Sequence, residues 1–215
     1  MKTLTDLLVS LQLQYIRSRE AIVFLENADR EKKAYLGPHN ELRNALDHTM
    51  KMIQKKDDED DYYEEYRGAM SHLLRAGYDA YELICIIHID YIKNVLSKYS
   101  SEDISRGFPD YFARIRPDIV TIEKETAEIR GKRLNGKSFS CFGKEMSGAL
   151  EENENTYEYY FRAAGKLENY VKEIDRHIPV INECYKENRF WKCLTISSFI
   201  IGISGIALAI YFGIK

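Results

Sequence analysis

A long run of uncharged residues constrains the fold of this chain more than any other feature. No charged side chain lies between Lys192 and Lys215 in the stretch "WKCLTISSFIIGISGIALAIYFGIK". As a helix, this run is about 33 Å long, enough to cross the roughly 30 Å hydrocarbon core of a bilayer. We therefore predict one transmembrane helix over residues 191–215. The aromatic residues at its two edges, where interfacial aromatics belong, are Phe190, Trp191, Tyr211 and Phe212.

The charges that flank this run predict its orientation. Lys186, Arg189 and Lys192 precede it, whereas only Lys215 stands on the far side. Loops rich in Lys and Arg stay on the cytoplasmic side of a membrane. We therefore expect residues 1–190 in the cytoplasm, with the chain crossing the membrane once.

Small residues recur within the run at every fourth position, as Gly205, Ala209 and Gly213. In lipid, small side chains at this spacing let two helix backbones approach closely. The pattern predicts that the chain associates with itself, as a dimer or a higher homo-oligomer.

The rest of the chain is predicted to be helical. Only four prolines and twelve glycines interrupt it, and no alternating strand pattern or convincing internal repeat stands out. A first helix is expected to run until Gly37-Pro38. The fold class is therefore all-α, a cytoplasmic helical bundle followed by one transmembrane helix. The expected parts are a bundle over 1–130, a basic glycine-containing loop over 131–142, a long amphipathic juxtamembrane helix over 143–190, and the membrane helix over 191–215.

Composition excludes some function classes. The 31 Lys and Arg nearly balance the 34 Asp and Glu, so net charge does not indicate a general nucleic-acid binder. The cysteines and histidines lack zinc-ligand spacing, and we predict neither a metal nor a cofactor. The stretch "GKRLNGKS" (131–138) has the letters of a phosphate-binding loop, but an amphipathic helix precedes it instead of a buried strand. Its basic residues are candidates for binding RNA phosphates or anionic lipid headgroups, namely Arg130, Lys132, Arg133 and Lys137.

The stretch "HNELRNALDHTMKM" (39–52) carries the candidate catalytic residues. On a helical wheel it separates into an apolar face, expected to pack into the bundle, and a polar face left for solvent or a partner. The apolar face holds Leu42, Ala45, Leu46, Thr49 and Ile53; the polar face holds Arg43, Asn44, Asp47, His48 and Lys51.

The letters "RNALDH" resemble the Arg-x4–6-His signature of HEPN domains, including the polar residue that follows the arginine. That resemblance implies a small all-α bundle in which two protomers or two domains build one metal-independent ribonuclease site. It implies that His48 is the acid–base partner of a 2′-OH attack on the adjacent phosphate, that Arg43 holds the phosphate, and that Asn44 orients the site. A second match, "RGAMSH" from Arg67 to His72, lacks the polar neighbour.

Motif and membrane helix together suggest a membrane-tethered HEPN-like protein of prokaryotic antiviral defence, in the bacterial inner membrane. The chain is similar in these respects to small membrane accessory proteins of type VI CRISPR systems. Three hypotheses follow: a metal-independent endoribonuclease, a multi-subunit membrane pore whose motif serves assembly, and an adaptor for a protein partner. The partners expected are the membrane, further copies of the chain, and RNA or an RNA-guided effector protein.

Overall fold

The structure, a computed structural model, describes residues 3–55, 59–134 and 146–213. Within these ranges every regular element is a helix, and no strand occurs. The predicted all-α class is thus confirmed for the described part of the chain. The elements are α1 (Leu4–Ala28), α2 (Leu36–Gln54), α3 (Glu59–Leu96), α4 (Ser101–Gly107), a π-helix (Tyr111–Ile115) that leads directly into α5 (Arg116–Leu134), and α6 (Met146–Gly213).

The chain divides into two compact units that interleave along the sequence. The first unit comprises Met1–Ile92 and Asp118–Val171. The second comprises Lys93–Pro117 and Lys172–Lys215.

The first unit has its core along α3, whose residues are buried over several turns. Gly77 permits a close approach to α6, because a methyl group there would lie 2.3 Å from the Tyr157 ring. The Ser18 hydroxyl of α1 donates to the Leu73 carbonyl at 2.7 Å. The fully buried side chains of the core are contributed by α1, α2, α3 and the start of α6, among them Leu7, Leu25, Met52, Ile84, Tyr160 and Leu167.

Helix α1 ends at Ala28, earlier than predicted. The Asp29 carboxylate accepts the backbone N–H groups of Glu31 and Lys33 at 2.9 and 2.7 Å, and the Tyr35 hydroxyl at 2.9 Å. Lys32 adopts a positive φ of 50°. A side chain that binds backbone N–H groups competes with helix continuation, so a turn replaces the predicted helical segment before Gly37-Pro38.

The second unit is held by aromatic stacking and charged pairs. The ring of Phe108 stacks on His177 with 3.9 Å between centroids. Asn188 donates to Asp103 at 2.6 Å, and Arg106 pairs with Glu187 at 2.9 Å. These contacts bind the α4 segment to α6.

The predicted membrane helix is the last part of α6. Among the described residues, α6 alone is long and apolar enough to cross a membrane, and none of its most apolar window is buried within the protein. Large apolar side chains such as Phe199, Ile201 and Ile206 are more than half exposed. A contiguous apolar surface of this kind marks a membrane or protein interaction site.

Two of the predicted parts can be compared with the described helices. Helix α6 covers most of the segment 143–190, and Tyr157, Tyr160 and Leu167 in its first half are buried in the core of the first unit. Their apolar bodies fill the space beside α3, where a bundle helix is needed. The predicted loop 131–142 begins as helix, since α5 continues to Leu134; residues 135–142 lie outside the described part.

Candidate active site

Helix α2 presents a different face to its neighbours than the helical wheel predicted. Leu46 and Ile53, expected in the core, are 59% and 42% exposed. Ala45 is buried as expected, but Met52 is buried as well, and the polar residue His48 faces α3. The reason is a set of hydrogen bonds between polar residues of α2 and α3, which a wheel that sorts residues by polarity assigns to solvent.

One half of the site is built around His48. Its Nδ1 lies 2.7 Å from Glu65 Oε2, and because a carboxylate only accepts, Nδ1 is the protonated, donating nitrogen. Lys55 donates to the other oxygen of the same carboxylate at 2.9 Å. The ring lies against Gly68, where a methyl group would come within 2.8 Å of Nδ1. Glycine therefore makes room for this imidazole.

The other half is built around His72, with the roles of the helices reversed. Its Nδ1 lies 2.7 Å from Glu41 Oε2. Arg75 donates to the same carboxylate oxygen at 3.0 Å and lies 2.8 Å from the same Nδ1. Because guanidinium only donates, Nδ1 either donates to Glu41 or accepts from Arg75, so the tautomer of His72 has two alternatives.

The two imidazole rings stack on each other, with 5.2 Å between centroids and 26° between planes. The side chain of His48 is 32% exposed and that of His72 is 17% exposed. Neither Nε2 atom has a hydrogen-bond partner among the described residues. The arrangement is a pair of partly accessible imidazoles, each with its Nδ1 at 2.7 Å from a glutamate oxygen.

Both glutamates have a lowered pKa. Burial alone raises the pKa of Glu41, but the hydrogen bond from His72 and the charge of Arg75 outweigh it. Burial likewise raises the pKa of Glu65, and the hydrogen bonds from Lys55 and His48 more than offset it. The two carboxylates therefore stay ionised at neutral pH. As anions, they hold the neighbouring imidazoles in place.

These shifts predict an acid-dependent loss of stability. A carboxylate with a lower pKa in the folded chain stabilises the fold above its unfolded pKa, near 4.5, and this stabilisation disappears as pH falls through the folded value. We expect the difference in unfolding free energy between wild type and Glu41→Gln to be largest at neutral pH and to close below about pH 4.5. Urea unfolding followed by circular dichroism at several pH values measures it. A difference that stays constant would contradict the assignment.

The structure brings together only part of the predicted catalytic set. His48 lies in the cluster, but Arg43 is exposed and makes no ion pair with Asp47 within the described residues, and Asn44 is half-buried. Glu41, Glu65, His72 and Arg75 belong to the cluster in the structure but not to the predicted catalytic set. A signal was present, since a glutamate stands two helical turns before each histidine.

The predicted phosphate-binding residues differ in their surroundings. Arg130 donates to the buried Glu82 at 2.6 and 2.8 Å, so its charge is already neutralised. Lys132 is exposed at the end of α5. The side chain of Arg133 and the whole of Lys137 lie outside the described part. Binding of phosphate by these residues stays a prediction, and in the described part Arg130 would bind phosphate in competition with Glu82.

The small residues predicted for self-association lie in α6. A methyl group added at Gly205 would meet nothing within 4 Å, so this position is open. Ala209 and Gly213 belong to α6, but the surroundings of both fall outside the described side chains.

No family model, curated protein or solved structure matches this chain. In the residues that the structure describes, fold and site together define an all-helical chain with one helix able to cross a membrane and a paired-histidine cluster. Within the described ranges, no three His, Cys, Asp or Glu side chains converge as metal ligands do.

Proposed function

We propose that this chain is a membrane-anchored, metal-independent endoribonuclease. One observation carries the proposal: the stacked pair of His48 and His72, each with its Nδ1 at 2.7 Å from a glutamate oxygen. Imidazole exchanges protons near neutral pH, and two imidazoles 5.2 Å apart can serve one reaction centre as base and acid. The resemblance of "RNALDH" to the HEPN signature supports the same chemistry.

The proposed step is a transesterification within the RNA. Nε2 of one neutral imidazole takes the proton from a ribose 2′-OH, and the 2′ oxygen forms a bond to the adjacent phosphorus. The bond from phosphorus to the 5′ oxygen breaks, and the second, protonated imidazole gives its proton to that oxygen. The products are a 2′,3′-cyclic phosphate and a 5′-hydroxyl end.

The membrane helix supports a proposal about where the reaction takes place. Anchored through α6, the paired histidines would act beside the cytoplasmic face of a bacterial inner membrane. A prokaryotic antiviral role, with RNA or an RNA-guided effector as partner, extends the same resemblance. Free cytosolic RNA requires no tether, so anchoring favours a role in which the membrane confines or receives the response.

The test is RNA cleavage by the purified full-length protein in detergent with excess chelator. We expect cleavage to continue in chelator and to leave 2′,3′-cyclic phosphate ends, because the step needs a 2′-OH and no metal. The matched control is the same oligonucleotide with a single 2′-deoxy position at the cleaved bond, which should remain intact there. Cleavage that requires added metal, or that leaves 5′-phosphate ends, would overturn the mechanism.

A second candidate function is a homo-oligomeric pore, favoured by the fully exposed apolar part of α6. Methyl groups at Gly202 and Gly205 would meet nothing within 4 Å, so these positions are free for close helix packing. One span per chain cannot enclose a conduit, so a pore needs a ring of copies. Dye leakage from liposomes that Gly205→Leu abolishes would favour it.

A further inference from the structure

The histidine cluster is built from an internal repeat. Residues 41–48 read "ELRNALDH" and residues 65–72 read "EYRGAMSH". The two stretches share Glu, Arg, Ala and His at matching positions, and Leu in the first corresponds to Tyr or Met in the second. This similarity covers eight residues in each helix, less than a repeated structural unit. The repeat is short, and its structural role lies in the contacts that the two copies make with each other.

The two copies pack antiparallel, so the polar residues at the ends of each copy contact those of the other. The histidine of the first copy binds the glutamate of the second, and the histidine of the second binds the glutamate of the first, each at 2.7 Å. A cation stands behind each glutamate, Lys55 behind Glu65 and Arg75 behind Glu41. The pair of helices thus has an approximate two-fold arrangement within one chain.

Small residues at the centre of the repeat allow this exchange. Ala45 of the first copy and Ala69 of the second are 2% and 0% exposed. Gly68 of the second copy leaves space for the His48 ring, which a methyl group would meet at 2.8 Å. Bulkier residues would separate the helices and pull each histidine from the opposite glutamate.

We infer that a single chain carries both halves of the site, with Glu41 and Glu65 as positioning residues that hold the opposite histidine. This inference rests on the proposed function for its chemistry, but not for its geometry. The HEPN resemblance implied two protomers or two domains that each supply one motif, and the inference excludes the first of these arrangements. Here the second motif, Arg67 to His72, is the partner of the first.

A complementation experiment distinguishes a site within one chain from a site formed between two protomers. His48→Gln and His72→Gln variants are co-expressed, and the RNA cleavage of the purified mixture is measured beside each variant alone. If one chain holds both halves, the mixture stays at the level of the single variants. If each site forms between two copies, mixed dimers regain one intact site, and roughly a quarter of wild-type activity returns. Recovery of that size would overturn the inference.

A second measurement does not need activity. Histidine labelled with ¹⁵N reports by NMR which ring nitrogen carries the proton, and His48→Gln and His72→Gln assign the two signals. We expect His48 in the Nδ1–H form in the wild type, since Glu65 accepts from it. Glu65→Ala should release the His48 tautomer and leave the signal of His39, an exposed histidine on the same helix, unchanged. An unchanged His48 signal would overturn the positioning role.

The two measurements distinguish two kinds of failure. If the wild type cleaves no RNA, the proposed function fails, and the NMR signature alone decides whether the cross-paired cluster exists. If the wild type cleaves RNA and the mixture recovers activity, the reaction stands and the single-chain site is wrong.

Discussion

Replacing His48 by Gln is expected to lower the rate of RNA cleavage by about two to four orders of magnitude. Glutamine can still donate a hydrogen bond to Glu65, so the contact between α2 and α3 survives, but an amide cannot exchange a proton near neutral pH. The rate under single-turnover conditions, with protein in excess over RNA, measures the effect on the chemical step.

His72→Gln should have an effect of similar size, because both imidazoles take part in one step. His39→Gln is the matched control: His39 lies on α2 as well, is about half exposed, and only approaches Glu26 at 3.7 Å. We expect it to leave the rate within about twofold of wild type. Wild-type cleavage by either His48→Gln or His72→Gln would show that the imidazole pair is not the reaction centre.

The second large effect concerns the membrane. Replacing Ile200 and Ile203 together by Arg should move the protein from the membrane fraction into the soluble fraction or into aggregates. Each arginine near the centre of a span costs about 2.5–3.5 kcal/mol of insertion free energy. Both isoleucines are more than half exposed in the chain itself, as expected for side chains that a bilayer covers.

Fractionation of cells followed by alkaline extraction measures the partition. Val120→Arg is the matched control, since Val120 on α5 is 55% exposed and apolar but lies outside the predicted span. This variant should stay in the membrane fraction. If the double arginine variant also resists extraction, the last part of α6 is not the membrane anchor, and its apolar surface needs a protein partner.

The amino-acid sequence by itself determined the helical class and the apolar helix. Both depend on local properties: the scarcity of Pro and Gly, and a run without charge between Lys192 and Lys215. Such properties act within a few turns of one helix, so they are visible without knowing any neighbour. The end of α1 at Ala28 was missed because one side chain, Asp29, binds the following backbone N–H groups, a competition that periodicity does not register.

Only the tertiary structure determines which side chains meet in the histidine cluster. Polarity placed His48 toward solvent and Leu46 toward the core, and the structure has the reverse, since Glu65 on another helix offers His48 a partner. The glutamate and histidine of each copy are two turns apart on one helix and do not bind each other there. They meet a partner only when α2 and α3 pack antiparallel. The free energy of that pairing depends on side chains from both helices. A helical wheel describes one helix at a time. The pairing between the repeats at 41–48 and 65–72 is therefore seen only in the folded chain.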